Sequence, residues 1–445
     1  MIRTRKESDY MDTRFLAGAA RADSTPPIGT CLYGYMPNHK STYLHDPISV
    51  TALALSQHGK TALMMTTEIG NIQTALNDEL AAVLAADIGI PVEHILISCT
   101  HTHTAPNLAG TPGWGEIDRE YFDGIFLPAA RKAATEAVAK LAPAELAIGV
   151  TESKVGINRR IQYPDGSIGL EQNPYGCFDP NMTVIAFRNA ETKEGILNLI
   201  HYGCHGTSAG HDTGIGRDWS GPMIDRLQTE SRTLTAFWNG AVGDVGPRNS
   251  NGSTAAIIAY TEELGGVAAM DAMRAYRARG GYHAGKLGIF TDTVHLPHQK
   301  MPSLEEVEAK LATFTDVESL FNLKKLEYEH YKETEAFWKN GGGEIPTEFT
   351  FPQTLISLGD VIFIPFPFEM FSEIVMRLRI YSPYPYTLSL SNTNGSNLYL
   401  PSEDQLCRGG YEVGCFLYGH LFPLASNTDQ HIIDENMRII REHTK

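Results

Sequence analysis

Cysteine is sparse in this 445-residue chain: Cys31, Cys99, Cys177, Cys204, Cys407 and Cys415 are scattered, with no CxxC spacing. That excludes a disulfide framework and a clustered thiolate site, and it suits reduced, mostly buried thiols of a cytoplasmic protein. Long apolar runs are missing too. No stretch approaches the ~18 residues of a membrane span, and the charged start Met1-Ile2-Arg3-Thr4-Arg5-Lys6 is followed by Glu7-Ser8-Asp9 rather than a secretory apolar segment. No stable membrane insertion is expected. Positive charge is in deficit, with 36 Lys and Arg against 52 Asp and Glu for a net charge of -16. A nucleic-acid partner would require basic patches and is not expected. The glycine-rich stretch from Asn239 to Asn249 lacks the lysine of a phosphate loop. There is no HExxH, no internal repeat, and no low-complexity tract beyond Gly341-Gly342-Gly343.

What is present is alternation of strands and helices. Strands are expected at Phe15–Arg21, Ile48–Leu55, Thr61–Thr67, Leu146–Val150, Thr183–Phe187, Gly195–His201, Leu234–Trp238 and Leu287–Leu296, and then as a hairpin of Phe349–Leu358 and Val361–Pro365. A Gly59-Lys60 turn is expected between the second and third of these. Helices are expected at Thr74–Ala86, from an Asp118 cap to about Leu141, at Met223–Gln228, Thr254–Arg277 and Met370–Leu378, and at Asp429–Glu442. The pattern predicts an α/β fold of layered mixed β-sheets flanked by helices. It is expected to be a single large catalytic domain over 15–445, preceded by a tail at 1–14. A charged helical pair near 303–340 is expected as a surface insertion or lid.

The chemistry concentrates at strand ends, where α/β proteins keep their sites. The apolar run Ile95–Cys99 leads into Thr100-His101-Thr102-His103, and in extended geometry residues i and i+2 share a side. Gly195–His201 leads to His205, and Val361–Pro365 leads to Glu369. Imidazoles with a carboxylate make a sound zinc set, and a catalytic zinc keeps one position for water. Other polar residues near these ends have open readings. His201, Asp218 and Asp244 could support the ligands from behind, or serve in turns and caps; Glu68 is alike. His211 and Asp212 could close over a substrate or sit in a solvated loop. Cys99 and Cys204 should point away and pack.

Ser98-Cys99-Thr100-His101-Thr102-His103-Thr104-Ala105-Pro106 resembles the Thr-His-Thr-His-(Ser/Ala)-Gly-Pro signature of the neutral/alkaline, non-lysosomal ceramidase family. Four further stretches agree in order. These are Ala17 to Pro27, Asn158-Arg159-Arg160, Cys204-His205-Gly206-Thr207-Ser208, and Tyr399 followed by Tyr411-Glu412. The resemblance covers Phe15 to about Gly419. It implies a zinc ion held by His101, His205, Glu369 and Tyr399, with His103, Arg159 and Tyr411 lining the pocket as catalytic residues. The implied activity is hydrolysis of an amide or ester, with zinc-bound hydroxide attacking the acyl carbon of a small-molecule or acylated substrate. Tyr411 would hydrogen-bond the oxyanion, and His103 would shuttle the proton to the leaving group. Two departures leave the substrate open. Gly246 stands where ceramidases with Gly-Asp-Val-Ser-Pro carry a serine, Ser250 being displaced, and the chain stops before their additional C-terminal domain. The alternatives are a small polar substrate, such as a sugar derivative or lactone, and a non-catalytic ligand-binding homologue.

Overall fold

Along the strand Leu16–Asp23, Ala17 and Ala19 enter one core while Ala20 and Ala22 enter another. The same period of two splits the other strands, because successive side chains leave opposite faces of a pleat. Leu53 and Leu55 join the first core, and Val50, Ala52 and Ala54 the second. Each strand therefore has a layer on both sides. The computed structural model describes residues 13–111, 114–248 and 257–444. Most of the expected 1–14 tail, Ser250, and the start of the helix expected from Thr254 lie outside these residues.

Two sheets form the centre. The larger is nine-stranded, in the order Thr235–Asn239, Gly195–Tyr202, Asn181–Asn189, Ala142–Glu152, Leu16–Asp23, Ser49–Gln57, Lys60–Thr67, Ile95–Cys99, with His283–Ala284 beside Ala142–Glu152. The smaller has four strands: Leu287–Pro297, Glu348–Leu358, Val361–Pro365 and Tyr386–Leu390. Between the sheets lie Leu146, Phe187, Leu199 and Trp238 from the larger, and Ile356, Val361, Phe363 and Leu388 from the smaller. Helices cover both outer faces, so the layers run helix, sheet, sheet, helix.

One unit builds all of this, although the sequence shows no repeat. A strand pairs with an antiparallel hairpin, a helix crosses over, a strand returns parallel to the hairpin's second arm, and a closing helix packs on the first strand. The first copy is Leu16–Asp23, Ser49–Gln57, Lys60–Thr67, helix Thr74–Ile88, Ile95–Cys99 and helix Leu127–Ala139. The second is Ala142–Glu152, Asn181–Asn189, Gly195–Tyr202, helix Ser220–Ser231, Thr235–Asn239 and helix Ile258–Ala278. The third is the smaller sheet, with helices Ser372–Tyr381 and Thr428–His443. Close contacts repeat as well. A Cβ on Gly18 would lie 2.3 Å from Ala137 O, and one on Gly149 would lie 2.0 Å from Ala275 O. Each glycine lets a closing helix sit against its strand.

Local expectations are corrected at two places. The hairpin turn is His58-Gly59 rather than Gly59-Lys60, with φ of 52° and 73°, the double positive φ that matches strand twist. Asp118 does cap its helix, accepting from Tyr121 N, but a wider turn at Phe122–Phe126 interrupts the run before Leu127–Ala139. The helices Leu304–Leu311 and Asn322–Lys339 lie between two strands that pair directly, and the second packs on the helix Tyr411–Tyr418. Among the described residues no helix is long and apolar enough to cross a membrane.

Candidate active site

The loops leaving the three units meet at one point. His101 follows Ile95–Cys99 but is not extended: its φ is 65°. Extended geometry therefore does not bring the two histidines together. A left-handed turn does, a conformation that is costly for a residue with a Cβ and is found at functional sites. It is fixed by His101 N donating to Ile69 O at 3.0 Å and by the ring Nδ1 lying 2.8 Å from Gly70 O. His103 N donates to Gly206 O, and Gly206 N to His101 O, lacing this loop to the one carrying His205. A Cβ on Gly206 would meet His101 O at 2.7 Å, so the glycine permits that approach.

His205 is held in the same way. Its N–H donates to Val245 O, and its ring Nδ1 lies 2.7 Å from Val242 O and 3.1 Å from Val245 O. With Nδ1 donating to carbonyls, the neutral rings of His101 and His205 leave bare Nε2 lone pairs. These point at Glu369 Oε2, at 3.5 and 3.0 Å. Glu369 lies in register with Tyr399 in a parallel pair, and its N–H donates to Leu398 O at 2.7 Å. Oε2 is buried and has no partner in hydrogen-bonding geometry. Three acceptors facing one another in a buried hollow repel unless a proton or cation lies among them. Backbone-anchored imidazoles with a free carboxylate oxygen are the donor set a divalent cation takes. The residues fit a metal.

A competing set exists. Ring nitrogens of His101, His103 and His205 all lie within 4.8 Å of one another, and His103 Nε2 is 3.5 Å from His101 Nε2. His103 differs in one respect: its Nδ1 has no partner, so nothing fixes its tautomer as the carbonyls fix the other two. We favour His101, His205 and Glu369 on that ground.

Arg159 stands beside this cluster with its guanidinium held at both ends. Nε donates to Glu412 at 2.9 Å, and Nη2 to the Tyr399 hydroxyl at 3.0 Å. Glu412, fully buried, also pairs with Arg160. Burial works against the charge on Arg159, but Tyr399 and Glu412 hold its pKa above the ordinary value. Tyr411 packs edge-on to Tyr399 with ring centroids 5.7 Å apart. Burial first, then the neighbouring Cys415 and Tyr399, raise its phenol well above its ordinary pKa, so it is protonated. Burial, then His101 and His205, push His103 well below the ordinary imidazole value. His205 is pushed down to about 3 by burial and Arg159. For Glu369 burial works upward, but a proton on the facing His101 and His205 rings, in place of a cation, outweighs it and pulls the pKa well down.

The seven residues His101, His103, Arg159, His205, Glu369, Tyr399 and Tyr411 are thus in one place. The other candidates are elsewhere. His201 lies between the sheets, Nε2 2.8 Å from Ser389 O. Asp218 accepts from Ser208, Ala209 and Trp219 N–H groups and shapes the loop after His205. Asp244 accepts from Ser372 N and Oγ and from Asn158. Neither touches a ligand ring; backbone carbonyls do that work. Glu68 accepts from Ser49, away from the hollow. Cys99 and Cys204 pack in two of the three helix-facing cores. His211 packs tilted against Tyr35, ring centroids 4.4 Å apart, while Tyr43 donates to Asp212. Gly246 lies in the short strand Val245–Pro247 and offers no hydroxyl. Sequence reasoning missed Tyr33, whose ring meets both His101 and His103 edge-on at 5.9 and 5.0 Å. It also missed the role of Glu412, for which two adjacent arginines needing one buried counter-charge were the available signal.

No family model matches the sequence, and no curated protein matches it. Solved structures do. The neutral ceramidase from Pseudomonas aeruginosa superposes with a TM-score of 0.72 at 18% identity, over 97% of this chain and 75% of that one. A ceramidase complexed with C2 gives the same score and identity, over 97% and 76%. The fold is therefore the α/β fold of these ceramidases.

Proposed function

We propose that this protein is a metal-dependent hydrolase of the neutral ceramidase-like class, cleaving an amide or ester bond. The observation that carries the proposal is the convergence of two carbonyl-anchored imidazoles on the unpartnered Oε2 of Glu369. His101, His205, Glu369 and Tyr399 would hold the ion, and zinc suits nitrogen and oxygen donors of this kind. A bound zinc supplies Lewis acidity and lowers the pKa of a water toward ~7. We take residues 15–445 as one catalytic domain, with the helical insertion at about 303–340. We infer a cytoplasmic location from the scattered spacing of the six cysteines, which suits reduced, mostly buried thiols.

The chain's own groups divide the remaining work. Tyr411, kept protonated, donates to the substrate carbonyl oxygen as negative charge builds on it, a contribution of ~3 kcal/mol for such a donor. Arg159 donates to the Tyr399 oxygen, which directs that oxygen's remaining lone pairs and adds positive potential where the oxyanion forms. His103 stays neutral at neutral pH, so it can accept a proton and pass it to the leaving amine or alcohol, worth ~10²–10⁴-fold. With Gly246 in place of a hydroxyl-bearing residue, no serine at that position takes part. That same residue favours the second reading, a small polar substrate. Elemental analysis of purified protein, with an activity screen on acylated amines before and after chelation, tests the proposal. Stoichiometric metal with chelation-sensitive amide cleavage is expected; undiminished turnover by metal-free protein would reject it.

A further inference from the structure

The hydrolase reading leaves the acyl group undefined, and the wall beside Tyr411 constrains it. The helix Asn322–Lys339 lies on the helix Tyr411–Tyr418. The contact is close: a Cβ on Gly414 would fall 2.4 Å from Leu323 Cδ1. A mainly apolar slot of about 20 Å³ lies among Trp114, Leu323, Leu326, Leu398, Tyr411 and Cys415, with Thr111 and Asn322 also on its wall. A single water needs ~10–15 Å³ on that measure, so the slot admits only one or two heavy atoms.

Its walls are shared with the candidate active site. Tyr411 meets Tyr399, ring centroids 5.7 Å apart, and Trp114 faces His103 at 6.2 Å. Leu398 gives its carbonyl to Glu369 N. A substituent on a carbonyl carbon held at Tyr411 would run into Leu323 and Leu326. We infer that this slot is the acyl subsite and that these two leucines restrict it to acetyl or propionyl groups, making the substrate a short-chain N-acyl amide or ester. A longer chain would have to lift the helix off Gly414 and expose both leucines. The inference rests on the hydrolase reading, so its test includes a readout that needs no turnover.

The experiment measures kcat/KM of the zinc-loaded full chain on N-acyl amides of one chromogenic aromatic amine, acetyl through palmitoyl. Acetyl and propionyl amides should be best, with octanoyl down about tenfold or more, the discrimination a filled apolar pocket gives. Leu323→Ala and Leu326→Ala should each raise the octanoyl-to-acetyl ratio about tenfold. Wild-type turnover of octanoyl or longer amides equal to or better than acetyl overturns the inference, and this comparison needs no variant to fold. Calorimetric binding of acetohydroxamate and octanohydroxamate supplies the second readout. Tighter binding of the shorter one, without cleavage of any amide, would remove the hydrolase reading and leave the slot standing. Octanohydroxamate binding as tightly, or neither binding, would remove the slot.

Discussion

In the half of the large sheet that ends at His101, the proposed ligand lies beyond the strand that follows the crossover helix, Ile95–Cys99. Its Nδ1 is held by Gly70, in the loop leaving the sister strand Lys60–Thr67. In the other half the arrangement is reversed. His205 lies beyond Gly195–Tyr202, which precedes its crossover helix, and Val242, in the loop leaving Thr235–Asn239, holds it. Both halves use one loop of a parallel pair for the histidine and the other for its anchor. The third unit contributes Glu369 from the loop after Val361–Pro365, with Tyr399 beside it. The repeated architecture thus fixes where a site can form, and the local loop decides which member of the pair bears the chemistry.

Breaking that pairing should have the largest effect. His101→Ala and His205→Ala should each lose metal and turnover to background, measured by elemental analysis and amide cleavage. Replacing a supporting partner of a ligand costs ~10–100-fold in affinity, and a ligand itself should cost more. If one half tolerated the change and the other did not, the two imidazoles would not be equivalent ligands. Next comes the buried counter-charge that only the third unit's side supplies. Glu412→Ala leaves Arg159 and Arg160 unpaired and should cost ~3–5 kcal/mol in denaturant unfolding. The matched glycines sharpen the comparison from the scaffold side. Gly18→Ala and Gly149→Ala each drive a Cβ into a backbone carbonyl and should each cost ~1–3 kcal/mol. A cost at one position only would argue against equivalent units. The smallest effect is on pH. His103 is held below the ordinary imidazole value, and a proton acceptor with a lowered pKa stays competent as pH falls. His103 should therefore add no acid limb of its own above pH ~6.5, and the limb of kcat/KM should follow the bound water near ~7; a limb near ~7 that disappears in the residual activity of His103→Gln would contradict a lowered His103 as the acceptor.

Much of this was legible in the sequence. Short apolar runs bounded by turn residues located most of the strands, because each is buried on two faces. The Thr-His-Thr-His segment, Arg159, His205, Glu369, Tyr399 and Tyr411 are drawn from strand ends and loops that fold together. What stayed hidden has physical causes. The carbonyl anchors at Gly70 and Val242 are backbone groups, which any residue supplies. The left-handed φ of His101 is imposed by the bonds around it, not by a glycine or asparagine signal. The threefold repeat left no trace because pleat and crossover need only apolar period and length. Tyr33 read as one more aromatic until its ring was found against both histidines.

Zinc-edge X-ray absorption on the zinc-loaded full chain, compared with His103→Gln, tests the central claim most directly. The account predicts two imidazole nitrogens and oxygen donors around the ion, with a spectrum the substitution leaves unchanged. Three imidazoles in the wild type, falling to two in the variant, would contradict it.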